Sequence, residues 1–134
     1  MSNASVNIGK AEHIGPGMDI LRASLSGTFT VEDMKLLSGW SEGLRGEVLH
    51  LSKEHGHKIC ILIDISKLEI YTDAKVIDIL TELMKADKGL VFKTATFGGN
   101  DNHVMVQQII SGMSERNNLR NFTTEKEALD WLKS

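Results

Sequence analysis

Two hydrophobic rhythms alternate along the chain, one of period two and one of three to four. Near the start, Val6 and Ile8 alternate with polar residues, Gly15-Pro16-Gly17 supplies a turn, and Met18 to Leu25 resumes an extended pattern. This predicts an N-terminal hairpin, closed by Gly27-Thr28-Phe29-Thr30. Thr30 with Asp33 has the form of a capping box at a helix start. Val31, Met34, Leu37, Trp40, Leu44, Val48 and Leu51 then recur at steps of three and four, an apolar stripe on one long amphipathic helix. Gly39, Gly43 and Gly46 weaken that helix, each by about 1 kcal/mol relative to Ala at an exposed interior position. A kink or break is therefore expected in its second half, and Gly56 ends it.

The next segment, Ile59-Cys60-Ile61-Leu62-Ile63, is continuously apolar and mostly β-branched. Such a run predicts a strand buried on both faces, at the centre of a sheet covered by helices. Asp64-Ile65-Ser66 reads as its polar end, followed by a loop and a helix capped by Thr72 or Asp73. On that helix Lys75, Asp78, Glu82 and Lys85 share the wet face, while Val76, Ile79, Leu80, Leu83 and Met84 share the buried one. Gly89 suits its C′ position, and Leu90 to Phe97 reads as another strand. Gly98-Gly99-Asn100-Asp101 turns into a third helix with Val104, Met105, Ile109 and Met113 on one side, broken at Asn117-Asn118. Leu119 to Phe122 is a short strand. Thr124-Glu125-Lys126-Glu127 opens a last helix with a second capping box, ending in Trp131-Leu132. The predicted order is β-β-α-β-α-β-α-β-α: an α/β fold with a single mixed, mostly parallel β-sheet and helices packed on it.

Composition narrows the function classes. The 134 residues suit one domain, its first five or so residues flexible, with 41% hydrophobic and 25% charged residues. The net charge is −3 and the basic residues are scattered among acids, so there is no electrostatic footprint for nucleic acid or anionic lipid. No apolar stretch approaches the roughly 20 residues of a spanning helix, and the N-terminus has neither the basic nor the apolar part of a signal peptide. Cys60 is the one cysteine, which excludes an internal disulfide and fits a reduced, cytoplasmic setting. In mid-strand it reads as an inert packed thiol.

Ile61-Leu62-Ile63-Asp64-Ile65-Ser66-Lys67-Leu68-Glu69-Ile70-Tyr71-Thr72-Asp73-Ala74-Lys75 resembles the central signature of STAS domains, the anti-sigma-factor-antagonist-like family. There a buried strand ends in Asp-Leu-Ser and a short loop reaches an Asp-Ser-Ser-Gly helix start. The element order is similar over nearly the whole chain. The closing segment Leu119 to Leu132, with Phe122, Ala128 and Trp131-Leu132, is similar to the C-terminal end of uncharacterised SpoIIAA-like relatives. The resemblance implies that fold and a non-catalytic regulatory role. In the regulatory members, a partner kinase phosphorylates a serine of Asp-Ser-Ser-Gly. Here Thr72-Asp73-Ala74-Lys75 stands in its place, so the usual phosphorylatable serine is absent. Thr72 offers a hydroxyl at a helix start, where phosphate is stabilised by the dipole; the simpler reading makes Asp73 the N-cap.

Several other constellations have both a functional and an ordinary reading. Asp64 and Ser66 form a polar pair facing a crevice, or Asp64 hydrogen-bonds loop amides. Gly98-Gly99 before a helix could present amides to an anion, but lacks the spacing of a dinucleotide fingerprint or the lysine of a phosphate loop. His103 in the first helical turn could serve acid–base chemistry near Asp64, giving a hydrolase reading on Asp64, Ser66 and His103 without a supporting motif. His50, Glu54, His55 and His57 offer metal ligands, but no second cluster completes a site. The expectation is thus a recognition domain with no catalytic residues, metal or cofactor, which binds a protein partner or forms a homodimer. Its surface comprises Asp64, Ser66, Tyr71, Thr72, Asp73, Lys75, Asp78, Gly98, Gly99 and His103. The alternative is a carrier of a small apolar ligand or lipid, with Met18, Met34, Met84, Met105, Met113, Trp40 and Trp131 lining a pocket between helices and sheet.

Overall fold

Strand β1 (Ser5–Gly15) folds back on β2 (Met18–Thr28), and a 3-10 turn at Val31–Asp33 leads into helix α1 (Met34–His55). Strand β3 (Lys58–Ile70), helix α2 (Ala74–Ala86), strand β4 (Val91–Phe97), strand β5 (Leu119–Phe122) and helix α3 (Glu125–Lys133) follow. The computed structural model describes residues 3–15, 17–56, 58–70, 74–86, 91–99 and 118–134. The helix expected after Gly99, the Gly89 terminus and the Thr72/Asp73 cap lie outside those residues. The five strands form one sheet in the order β1-β2-β3-β4-β5. β1 is antiparallel to β2, and the other neighbouring pairs are parallel. The expected mixed, mostly parallel sheet is therefore realised.

The pentapeptide 59–63 runs through its middle, and all five residues are buried. Alternation sends its side chains to two cores. Ile59, Ile61 and Ile63 join Leu21, Ala23 and Leu25 against Leu37, Trp40, Leu44 and Val48 of α1 and Leu80, Leu83 and Met84 of α2. Cys60 and Leu62 join Ile20 and Ala95 against Ala128 and Leu132 of α3. Helices thus cover both faces, which is why the run carries no polar alternation. The Trp40 indole N–H also donates to the Asn7 carbonyl at 3.1 Å, tying α1 to β1.

Local chemistry fixes most element ends. The Thr30 amide donates to Asp33 Oδ2 at 2.8 Å, and Thr30 Oγ1 accepts from the Glu32 amide at 3.3 Å. This reciprocal pair caps the 3-10 turn that starts α1. Thr124 Oγ1 accepts from the Glu127 amide at 3.3 Å and opens α3 as expected. Gly56, at φ 64°, closes α1 in the left-handed conformation. Asn3, among the residues expected to be loose, accepts the Thr28 amide on its Oδ1 at 2.9 Å.

Two expectations need correction. Helix α1 continues unbroken through Gly39, Gly43 and Gly46, because the stripe it buries outweighs their propensity penalty. Strand β3 does not end with Asp64-Ile65-Ser66 but continues to Ile70, paired with β2 through Ser26↔Lys67, Gly27↔Leu68 and Thr28↔Ile70. Among the described residues, no helix is long and apolar enough to cross a membrane.

Candidate functional site

β3 and β4 pair from Ile59↔Val91 as far as Asp64↔Phe97. Beyond that point the described part of β3 is held on the β2 side, and there its register slips. Ser24 faces Asp64 but Ser26 faces Lys67, so β3 carries one extra residue around Ile65 and Ser66. The Asp64 carboxylate organises this bulge. Its Oδ1 accepts from the Ser66 amide at 2.8 Å and from Ser66 Oγ at 2.6 Å. Gly98, the residue after β4, lies directly on Ser66. A Cβ at Gly98 would stand 2.6 Å from the Ser66 Cβ, and the Gly98 backbone has φ +86°, a conformation that favours glycine. The Gly98 amide donates to the Phe122 carbonyl at 3.1 Å, which anchors the turn to β5. Asp64, Ser66, Gly98 and the adjoining Gly99 are thus brought together from two distant stretches of sequence.

Asp64 also borders a cleft of about 340 Å³ on the α3 face of the sheet, floored by Leu62 and Phe97 and flanked by Asn7, Ser24, Arg22 and Glu125. Arg22 was not among the residues expected at a site. Its Nε donates to Glu12 Oε1 at 2.7 Å and its Nη1 to Glu125 Oε1, so it joins β1, β2 and α3. These bonds, that to Glu12 foremost, raise the Arg22 pKa further and keep the guanidinium charged. The available signal was phase: Arg22 shares a strand face with Ile20, an inward position where a charge requires partners.

The remaining expected residues separate. Lys75 and Asp78 are exposed on α2. Tyr71, Thr72, Asp73 and His103 lie outside the described residues, so no distance from His103 to Asp64 enters the site. His50 Nε2 and Glu54 Oε2 are 2.8 Å apart on the exposed side of α1. Among the described residues, no three His, Cys, Asp or Glu side chains converge as a metal site would require. Met84 and Trp40 are core residues, Met18, Met34 and Trp131 pack at its margins, and Met105 and Met113 lie outside the described residues.

No family model matches the chain, and no curated protein does. Among solved structures it is similar to an uncharacterised protein of the DUF3478 family with a SpoIIAA-like fold, from Shewanella loihica PV-4. The two share 17% identity at a TM-score of 0.53, over 98% of this chain and 95% of that one. The chain has the SpoIIAA-like α/β fold that the resemblance to STAS domains implied.

Proposed function

We propose that this is a non-catalytic recognition domain, engaging a regulatory protein partner or a second copy of itself. Its contact surface is the rim where β3 overshoots β4, continuing onto the exposed face of α2. The observation that carries the reading is the bulge at Ser66. Asp64 spends one carboxylate oxygen on the Ser66 amide and hydroxyl, so these groups shape the backbone instead of waiting for a substrate. Beyond the bulge, Lys67 and Glu69 are exposed, as are Lys75 and Asp78 on α2. A rigid sheet that presents alternating charges on a projecting edge suits the recognition of a macromolecule. Ala74, the first residue of α2, supplies no hydroxyl, so control by phosphorylation at that position has no acceptor. The carrier alternative draws no support from the layer between α1 and the sheet, where Leu37, Leu44, Val48 and Ile61 are all buried.

A Lys67→Glu/Lys75→Glu variant tests the surface. Sedimentation velocity should show loss of any dimer, or quantitative affinity capture should show loss of the partner retained by the wild type. Thermal midpoints should match, because both lysines are exposed. Identical mass and identical capture from both proteins would overturn the assignment.

A further inference from the structure

The cleft beside Asp64 opens on the α3 face of the sheet, opposite helix α2 and its exposed charges. Register pairs Asn7 with Ser24, Ser24 with Asp64 and Asp64 with Phe97. These four side chains therefore stand side by side on one sheet face, on neighbouring strands about 4.8 Å apart. Arg22 and Leu62 are paired in the next row, and all six residues line the cleft. Arg22, Ser24, Asp64 and Phe97 are half-buried and Asn7 is exposed, so a ligand can reach them. Helix α3 packs Ala128 and Leu132 over Cys60, Leu62 and Ala95, and it starts at Glu125, which forms the cleft wall.

The row offers both kinds of hydrogen-bonding group. Asp64 commits Oδ1 to Ser66, and among the described residues no hydrogen bond uses its Oδ2. Arg22 gives Nε to Glu12 and Nη1 to Glu125 and keeps Nη2. Asp64 thus presents an acceptor and Arg22 a donor, while the Ser24 hydroxyl and the Asn7 amide can each do both. Phe97 supplies apolar surface beside them. An ammonium only donates, and would leave Arg22 Nη2 unmet. A carboxylate only accepts, and would meet a guanidinium whose charge Glu12 and Glu125 already balance; joining it to an ammonium in a zwitterion does not remove that conflict. A bare apolar ring answers none of the polar groups. Hydroxyls donate and accept, and several on one ring can answer all four while the C–H face of the ring lies on Phe97. We propose that this cleft binds a neutral monosaccharide, a pyranose ring held by Asp64, Arg22, Ser24 and Asn7 over Phe97. The volume of about 340 Å³ is at the small end for ligand sites, which suits a single ring.

An NMR titration of the full chain tests this, with the methyl pyranosides of glucose, mannose and galactose as probes. Cyclohexylammonium, cyclohexanecarboxylate, cyclohexanol and zwitterionic L-phenylalanine are the controls, each a six-membered ring without the set of hydroxyls. At least one pyranoside should give saturable amide shifts centred on Ser24, Asp64 and Phe97, and every control should bind at least tenfold more weakly. Asp64→Asn keeps an oxygen for the Ser66 amide and hydroxyl but replaces the second acceptor by a donor, and should weaken the sugar about tenfold. Gly9 also lines the cleft, and a Cβ there would meet the Arg22 Cβ at an ordinary 3.5 Å. Gly9→Leu should therefore fold, fill the cleft and abolish saturable binding. No saturable shift from any of the three sugars, shifts that centre elsewhere, a control that matches the best sugar, or either variant binding as tightly as wild type would each overturn the proposal. The Lys67→Glu/Lys75→Glu variant leaves every cleft residue intact, so this inference and the rim assignment fail separately.

Discussion

Two glycines with positive φ separate backbone strain from steric contact. Gly56 at φ 64° has nothing within 4 Å of an added Cβ, whereas at Gly98, φ +86°, a Cβ would stand 2.6 Å from the Ser66 Cβ and 2.8 Å from its Cα. Gly56→Ala should therefore meet only the left-handed penalty, about 1 kcal/mol. Gly98→Ala adds a clash with backbone that cannot rotate away, and should lose at least about 2 kcal/mol in urea unfolding. Equal losses would mean that the β4 turn gives way freely and that the approach to Ser66 is incidental. The need for a turn at Gly98-Gly99 was legible from the dipeptide. The contact with Ser66 was not, because it exists only once β3 and β4 are aligned in parallel register.

At the scale of elements, helix α1 shows why propensity misled. Three interior glycines subtract about 3 kcal/mol in sum, but Leu37, Trp40, Leu44, Val48 and Leu51 are all buried, each worth roughly 1.5–3 kcal/mol or more. Tertiary packing wins, and the helix stays whole. Gly39 and Gly46 have open space around an added Cβ, while one at Gly43 would stand 3.1 Å from Ile8 Cδ1. Gly39→Ala and Gly46→Ala should each stabilise by about 0.5–1 kcal/mol, and Gly43→Ala by less, read from urea midpoints at constant slope. Destabilisation by Gly39→Ala or Gly46→Ala would show that α1 needs flexibility there. The full length of β3 was hidden for a different reason. Ile59, Ile61, Ile63 and Ile65 keep period two, but the next residue in the same core is Leu68, a step of three. The bulge at Ser66 breaks the alternation, so the pattern looks like a strand end. Elements whose ends follow from side-chain bonds were legible, α3 most clearly: Thr124→Ala should remove its cap and cost about 1 kcal/mol.

For the molecule as a whole, the unequal cores bear on how the cleft at Asp64 is held together. The larger core joins β1, β2, β3, α1 and α2, whereas α3 rests on a smaller one through Ala128 and Leu132. Three kinds of contact fasten α3: this apolar patch, the Lys93 ammonium of β4 donating to the Trp131 carbonyl at 2.8 Å, and the ion pair from Arg22 to Glu125 at the cleft wall. Arg22 is 33% exposed and Glu125 46% exposed at their side chains, so solvent screens the pair and it contributes no more than about 1 kcal/mol. Leu132 is fully buried, and Leu132→Ala should cost about 2–4 kcal/mol. Glu125→Gln, which breaks this pair and leaves that of Arg22 with Glu12, should accordingly have a small effect that shrinks further with added salt, while Leu132→Ala should release α3 first. Native-state hydrogen exchange separates the outcomes. Protection should collapse across 125–133 in Leu132→Ala while residues of α1 and β3 keep theirs, and the Asp64 cleft then loses its Glu125 wall. A uniform loss of protection in that variant would instead mean that the two cores open as one unit, with α3 as integral to the sheet as α1.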